Sequence, residues 1–161
     1  MKLARFEDLK VWRLAHKLSI DVATLVKSFP KEEKYDLTGQ MRRSARSIPS
    51  DISEGFGRFH FNDKLTFYER CRASLGELRN HFEEALDNRY IEKDSYDRFF
   101  REMSEIGYLL NKMMRNVCRA RASYEAERKL KRNSSRRLTS NPARRDSFSI
   151  HEMNPFHIIE I

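Results

Sequence analysis

The chain has 161 residues, of which 35% are charged, and carries a formal net charge of +8 with only five glycines and four prolines. That length suits one domain with a tail, and so few turn-forming residues argue against a fold of many short strands. No apolar run approaches the roughly 20 residues of a bilayer-spanning helix, and Met1 to Arg5 lacks the apolar centre of a secretory leader, so a cytoplasmic, all-α protein with no membrane attachment is expected.

Between Phe6 and Phe29 the apolar residues Leu9, Trp12, Ala15, Leu18, Val22, Leu25, Val26 and Phe29 recur every three or four positions, the stripe of one buried helix face. Pro30 ends that pattern and opens a short acidic turn at Lys31 to Glu33. Asp36 is the expected N-cap of a second helix with the stripe Leu37, Met41, Ala45, Ile48, Ile52 and Phe56. Gly55 and Gly57 allow this helix to stop, and Pro49 is expected to kink it.

Asn62 is the expected N-cap of a third helix carrying Leu65, Tyr68, Cys71 or Arg72, Leu75, Leu78, Phe82, Ala85 and Leu86, with Asn88 as its left-handed stop. Ala73, Ser74 and Gly76 make that helix slim, so its tightest backbone contact is expected there. Asp94 and Asp97 resemble a capping box before a fourth stripe from Phe99 to Val117. Four such helices joined by short connections predict an antiparallel up-down bundle. It occupies residues 1–130, with the fourth helix extended past 118. A basic and then apolar tail, residues 131–161, is too poor in apolar residues over its first half to hold itself folded. Cys71 and Cys118 read as small buried thiols.

The excess charge is concentrated. Residues 119–145 hold ten Lys or Arg against Glu125 and Glu127, while the other 22 basic and 22 acidic residues cancel. Within this stretch Arg119, Arg121, Arg128, Lys129, Lys131, Arg132, Arg136 and Arg137 are candidate phosphate contacts. A second group comprises Arg42, Arg43, Arg46, Arg58, Arg70 and Arg72, with Lys64 in the same cluster, interleaved with aromatics, since arginine forks match phosphate oxygens bidentately. Asp51, Glu54, Asp63 and Glu69 compete for this second group as internal ion-pair partners.

Catalytic chemistry finds little support. The chain lacks paired Glu-x-x-His segments, Cys-x-x-Cys, His-Glu-x-x-His, a phosphate-cradling glycine loop and a serine nucleophile elbow. Glu77, His81 and Glu84 share one helix face, but such trios are usually solvated or ion-paired. No enzyme activity, metal or cofactor is expected.

Several segments resemble a known family. They are Phe6-Glu7-Asp8-Leu9-Lys10-Val11-Trp12, Phe29-Pro30, Gln40-Met41-Arg42-Arg43, Ser47-Ile48-Pro49-Ser50-Asp51-Ile52-Ser53-Glu54-Gly55-Phe56-Gly57-Arg58 and Ser74-Leu75-Gly76-Glu77-Leu78. Over about residues 5–118 the chain is similar to the bacterial four-helix bundle proteins encoded in 23S rRNA intervening sequences. These in turn resemble the accessory variability determinant of diversity-generating retroelements. The resemblance implies a non-enzymatic ring-shaped homopentamer that binds RNA or DNA, with a reverse transcriptase as protein partner. Asp51, Ser53 and Ala73 depart from the family pattern, where Asn, Ala and Gly are usual. Glu54 and Glu77 read as inter-helix acceptors for Arg42, Arg43 or Arg46 that fix helix register.

The expected function is that of a nucleic-acid-binding accessory protein, assisting a reverse transcriptase in a diversity-generating retroelement or acting in an rRNA-intervening-sequence context. The alternative is a homo-oligomeric scaffold whose apolar segment 147–161 docks a partner.

Overall fold

A computed structural model describes residues 5–139 of the chain. Four helices, α1 (Lys10–Leu25), α2 (Leu37–Gly57), α3 (Phe61–Asp87) and α4 (Lys93–Thr139), are joined by short connections, with 3-10 turns at Phe6–Asp8, Val26–Ser28 and Lys31–Tyr35. Consecutive helices pack side by side and α1 closes against α4, giving the expected up-down bundle. No strand occurs among the described residues. None of their helices is long and apolar enough to cross a membrane.

The stripes read from the sequence form the core. Leu18, Met41, Ile48, Ile52, Leu78, Phe82, Phe99, Met103 and Ile106 are fully buried, and the Phe82 and Phe99 rings lie 4.7 Å apart. Cys71, rather than Arg72, takes the ambiguous inward position on α3. On α1, Val11 faces inward in place of Trp12, which lies at the margin, stacked on His16 at 4.8 Å with the Phe6 ring edge-on at 5.0 Å. An indole at the margin keeps its apolar body covered and its N–H near water.

The tightest approach lies between α2 and α3, at a different glycine from the expected one. A Cβ on Gly55 would stand 2.4 Å from Tyr68 Cε1, whereas one on Gly76 would meet nothing within 4 Å, and Ala73 is exposed. Lys64 enters the same seam. Its buried Nζ donates to the carbonyls of Phe56 at 2.9 Å and Gly55 at 3.5 Å, neutralising the C-terminal end of α2. Burial lowers the Lys64 pKa. α2 runs unbroken through the buried Pro49; the backbone bond to the Ala45 carbonyl is the one that proline removes.

Helix ends depart from the sequence expectations. Asp36 precedes α2 without a side-chain cap, and the Glu33 carboxylate accepts from the Leu37 N–H at 3.4 Å. His60, not Asn62, precedes α3. Asn88 has φ −80°, and Arg89 supplies the left-handed residue at φ 60°. The Arg89 N–H donates to Leu86 O and the Tyr90 N–H to Ala85 O, a Schellman ending. At the start of α4, Asp97 accepts from Lys93 instead of completing a box with Asp94. Two tyrosines secure this region: Tyr90 donates to Glu33 at 2.9 Å and Tyr96 donates to Glu83, which raises the Tyr96 pKa to about 12.

α4 crosses the expected boundary at residue 130 and continues through Asn133–Ser135 to Thr139. A helix already nucleated gains one hydrogen bond for each residue it adds; the run beyond 118 is rich in Ala, Glu, Arg and Lys, and the Ser135 hydroxyl folds back onto Lys131 O at 3.0 Å. The expected disorder of 140–161 and its apolar end lie outside the described residues.

Four outcomes test this packing. Gly55→Ala should lower stability in urea unfolding by about 1–3 kcal/mol through overpacking against Tyr68, while Gly57→Ala, where a Cβ meets nothing within 4 Å, should raise it by about 0.5–1 kcal/mol. Arg89→Gly should stabilise the fold by several tenths of a kcal/mol or more, since glycine carries no Cβ penalty at positive φ. Cys118 is exposed, contrary to expectation, whereas Cys71 is buried with its pKa pushed up to about 12 by desolvation. Maleimide at neutral pH should therefore modify one thiol quickly, and mass mapping should place it at Cys118.

Candidate nucleic-acid interface

The longest feature outside the bundle core is the last third of α4. Phe61, the first residue of α3, touches Tyr124 with ring centroids 5.9 Å apart. Residues beyond Tyr124 have therefore passed the end of α3, and the fifteen from Glu125 to Thr139 extend about 22 Å further at 1.5 Å per residue. Every side chain from Arg121 to Ser135 is exposed. Among the described residues this is a helical arm projecting past the bundle.

Its cations are only lightly neutralised. Arg121 bonds Glu125 at 2.8 Å, one turn on, and this contact lowers the Glu125 pKa. Arg119, Arg128, Lys129, Lys131 and Arg132 have no carboxylate within ion-pairing distance among the described residues. Arg136 and Arg137 lie on the same helix, but their side chains fall outside the described residues. Arg121, Arg128 and Arg132 are seven and then four residues apart and so share one line of the helix. Tyr124 stands beside that line, 51% exposed.

Two cations that a count along the sequence passes over lie on another face of α4, with Arg119, about 160° around the axis from Arg121 at 100° per residue. Lys112 and Arg115 are exposed on α4 and lie on the helical line of Arg119. Tyr108, 64% exposed, continues the line toward the bundle body. Their spacing of three or four residues was visible in the sequence, but they fall in a segment whose charges sum close to zero.

The arginines of α2 and α3 do not make one patch. Arg42, Arg43 and Arg46 lie in the first half of α2, with Arg42 half-buried and its Nε lacking a hydrogen-bond partner. Arg58 lies at the other end of that helix, at least twelve residues away along the axis, or about 18 Å. Its guanidinium covers the Phe67 ring at 4.4 Å and reaches Glu54 at 3.7 Å. Arg70 approaches the same ring at 5.3 Å. Burial raises the Asp51 pKa, and the Arg70 charge partly offsets this. Arg72, two residues from Arg70, points to another side of α3.

Glu54 and Glu77 pair along their own helices rather than with Arg42, Arg43 or Arg46 across the seam: Glu54 with Arg58, and Glu77 with His81, at 3.7 Å each. Register is instead held by the apolar stripes, Gly55 against Tyr68, and Lys64. His81 lies between Glu77 and Glu84, 3.7 Å from each carboxylate, with neither ring nitrogen in hydrogen-bond geometry. Among the described residues no three His, Cys, Asp or Glu side chains converge as a metal ion would require.

Comparison with solved structures finds the same fold in a crystal structure of a protein of unknown function from the S23 ribosomal protein family of Bacteroides thetaiotaomicron VPI-5482. It is 21% identical, with a TM-score of 0.61 over 65% of this chain and 95% of that one. No curated protein matches. The family model for the 23S rRNA-intervening sequence protein matches residues 7–112, covering α1 to α3 and the first twenty residues of α4, and stopping before the basic arm. On this match over most of its length, the chain belongs to the 23S rRNA-intervening sequence protein family.

Proposed function

We propose that this protein is a non-enzymatic, nucleic-acid-binding accessory protein that engages phosphates through the arm of α4. The observation that carries the reading is the set Arg128, Lys129, Lys131 and Arg132, exposed on a helix clear of the bundle with no carboxylate in ion-pairing reach among the described residues. Unneutralised cations on an ordered support are what an anionic backbone needs, and contacts of this kind position the partner without reading its sequence. The arginines of α2 and α3 add a weaker contribution, because Arg58 and Arg70 are engaged with Phe67 and Arg42 is half-buried. The family resemblance adds a reverse transcriptase as protein partner and a homopentamer as assembly. A sedimentation mass of one chain would remove the pentamer, and failure to co-purify with a co-expressed reverse transcriptase from the same locus would remove that partner.

Anisotropy titrations with a structured RNA and a DNA of similar length, at several salt concentrations, test the reading. Affinity should fall steeply with salt. Changing Arg128, Lys129, Lys131 and Arg132 together to Gln should reduce the log–log salt slope by about 3–4 and weaken binding more than changing Arg42, Arg43 and Arg46 together. Absence of binding at low salt, or binding indifferent to salt, would exclude the proposal.

A further inference from the structure

The arm has a shape as well as a charge, and its shape selects among nucleic acids. Its side chains divide around the axis. Arg121, Arg128 and Arg132 form the central line, while Lys129 and Lys131 lie on opposite flanks, each about 80° from it at 100° per residue. The far side between them carries Ala122, Ala126 and the exposed Leu130, with Glu127 beside the Lys131 flank. Among the described residues no other element covers this segment, and every side chain from Arg121 to Ser135 is exposed. A bare helix is about 10–12 Å across, which matches the roughly 12 Å width of the major groove of B-form DNA. The corresponding groove of A-form RNA is too deep and narrow for side chains to read.

We infer that the arm of α4 lies in the major groove of duplex DNA, with the line Arg121, Arg128 and Arg132 toward the base edges and Lys129 and Lys131 toward the two phosphate walls. This inference rests on the nucleic-acid-binding reading above and adds the class of substrate. Arginine at the groove floor meets guanine O6 and N7, the acceptors its fork fits best. Lysines on both flanks suit a channel with phosphates on either side, an arrangement a single strand does not present. Arg121 reaches the floor by exchanging Glu125 for a base edge, and Glu125 lies next to the Lys129 flank, so the groove contact also frees a carboxylate near a phosphate wall. That cost makes Arg128 and Arg132 the main floor contacts.

The full-length protein is titrated at matched salt against a DNA duplex, an RNA duplex and a single-stranded RNA of equal length. The DNA duplex should bind at least about tenfold more tightly than either. Ala126→Pro leaves every charge in place but breaks the exposed helix at the base of the arm. It should reduce DNA-duplex affinity to about that of the RNA duplex, with thermal unfolding of the bundle little changed. Glu125→Gln should strengthen DNA-duplex binding, by releasing Arg121. Salt-dependent binding in which either RNA equals the DNA duplex, or in which Ala126→Pro has no effect on the DNA duplex, overturns the groove inference and leaves the charge-based reading in place. No binding to any of the three at low salt overturns both.

Discussion

The structure depends on one close approach. Tyr68 packs where the side chain of residue 55 would otherwise be, so α2 and α3 come together at the only spacing that lets a tyrosine ring lie against bare backbone. Lys64, one turn earlier on α3, satisfies the carbonyls at the end of α2, and the chain reverses over the three residues Arg58 to His60. A helix end buried without donors would be costly. The lysine meets that need and pins the register of the two helices. Because α4 packs on α3, the same register decides where α4 leaves the bundle, at the contact of Tyr124 with Phe61.

From that point the determinants of structure change. Up to Val117 the helix is specified by an apolar stripe with a core to face. Beyond Tyr124 no core remains, and an isolated segment of this length would be marginal in water. It is helical as the continuation of a docked helix, which spares it nucleation, and its composition favours the state. The charge divides along the same line. In the body, acids nearly equal the cations in number, and some pair with them directly, as at Lys10 with Glu105 and Lys17 with Asp21. In the arm they largely do not.

Periodicity revealed the four helices because burial of one face is a local, repeating demand on sequence. Single contacts were less legible. Gly76 and Gly55 look alike in a sequence, and only the neighbour across the seam distinguishes the crowded one. A buried lysine such as Lys64 breaks the apolar pattern and becomes intelligible once the carbonyls it meets are known. Arg89 gave no signal, since the left-handed position usually belongs to glycine or asparagine and Asn88 stood beside it. In the candidate interface, the charge surplus of the arm could be counted from the sequence. That Arg58 and Arg70 converge on the Phe67 ring, and that Arg42 is half-buried, required the helices to be laid out in space.

The 47 residues of α4 form one helix about 70 Å long, roughly two thirds of it held against the bundle. Its free end is thus a cantilever with a fixed aim. A disordered tail of the same composition would lose about 1–2 kcal/mol of backbone entropy for each residue ordered on binding. Here folding of the bundle has already met most of that cost, so encounter can proceed as rigid docking, and force applied at the tip is transmitted along the rod to the Tyr124 and Phe61 contact and into the core.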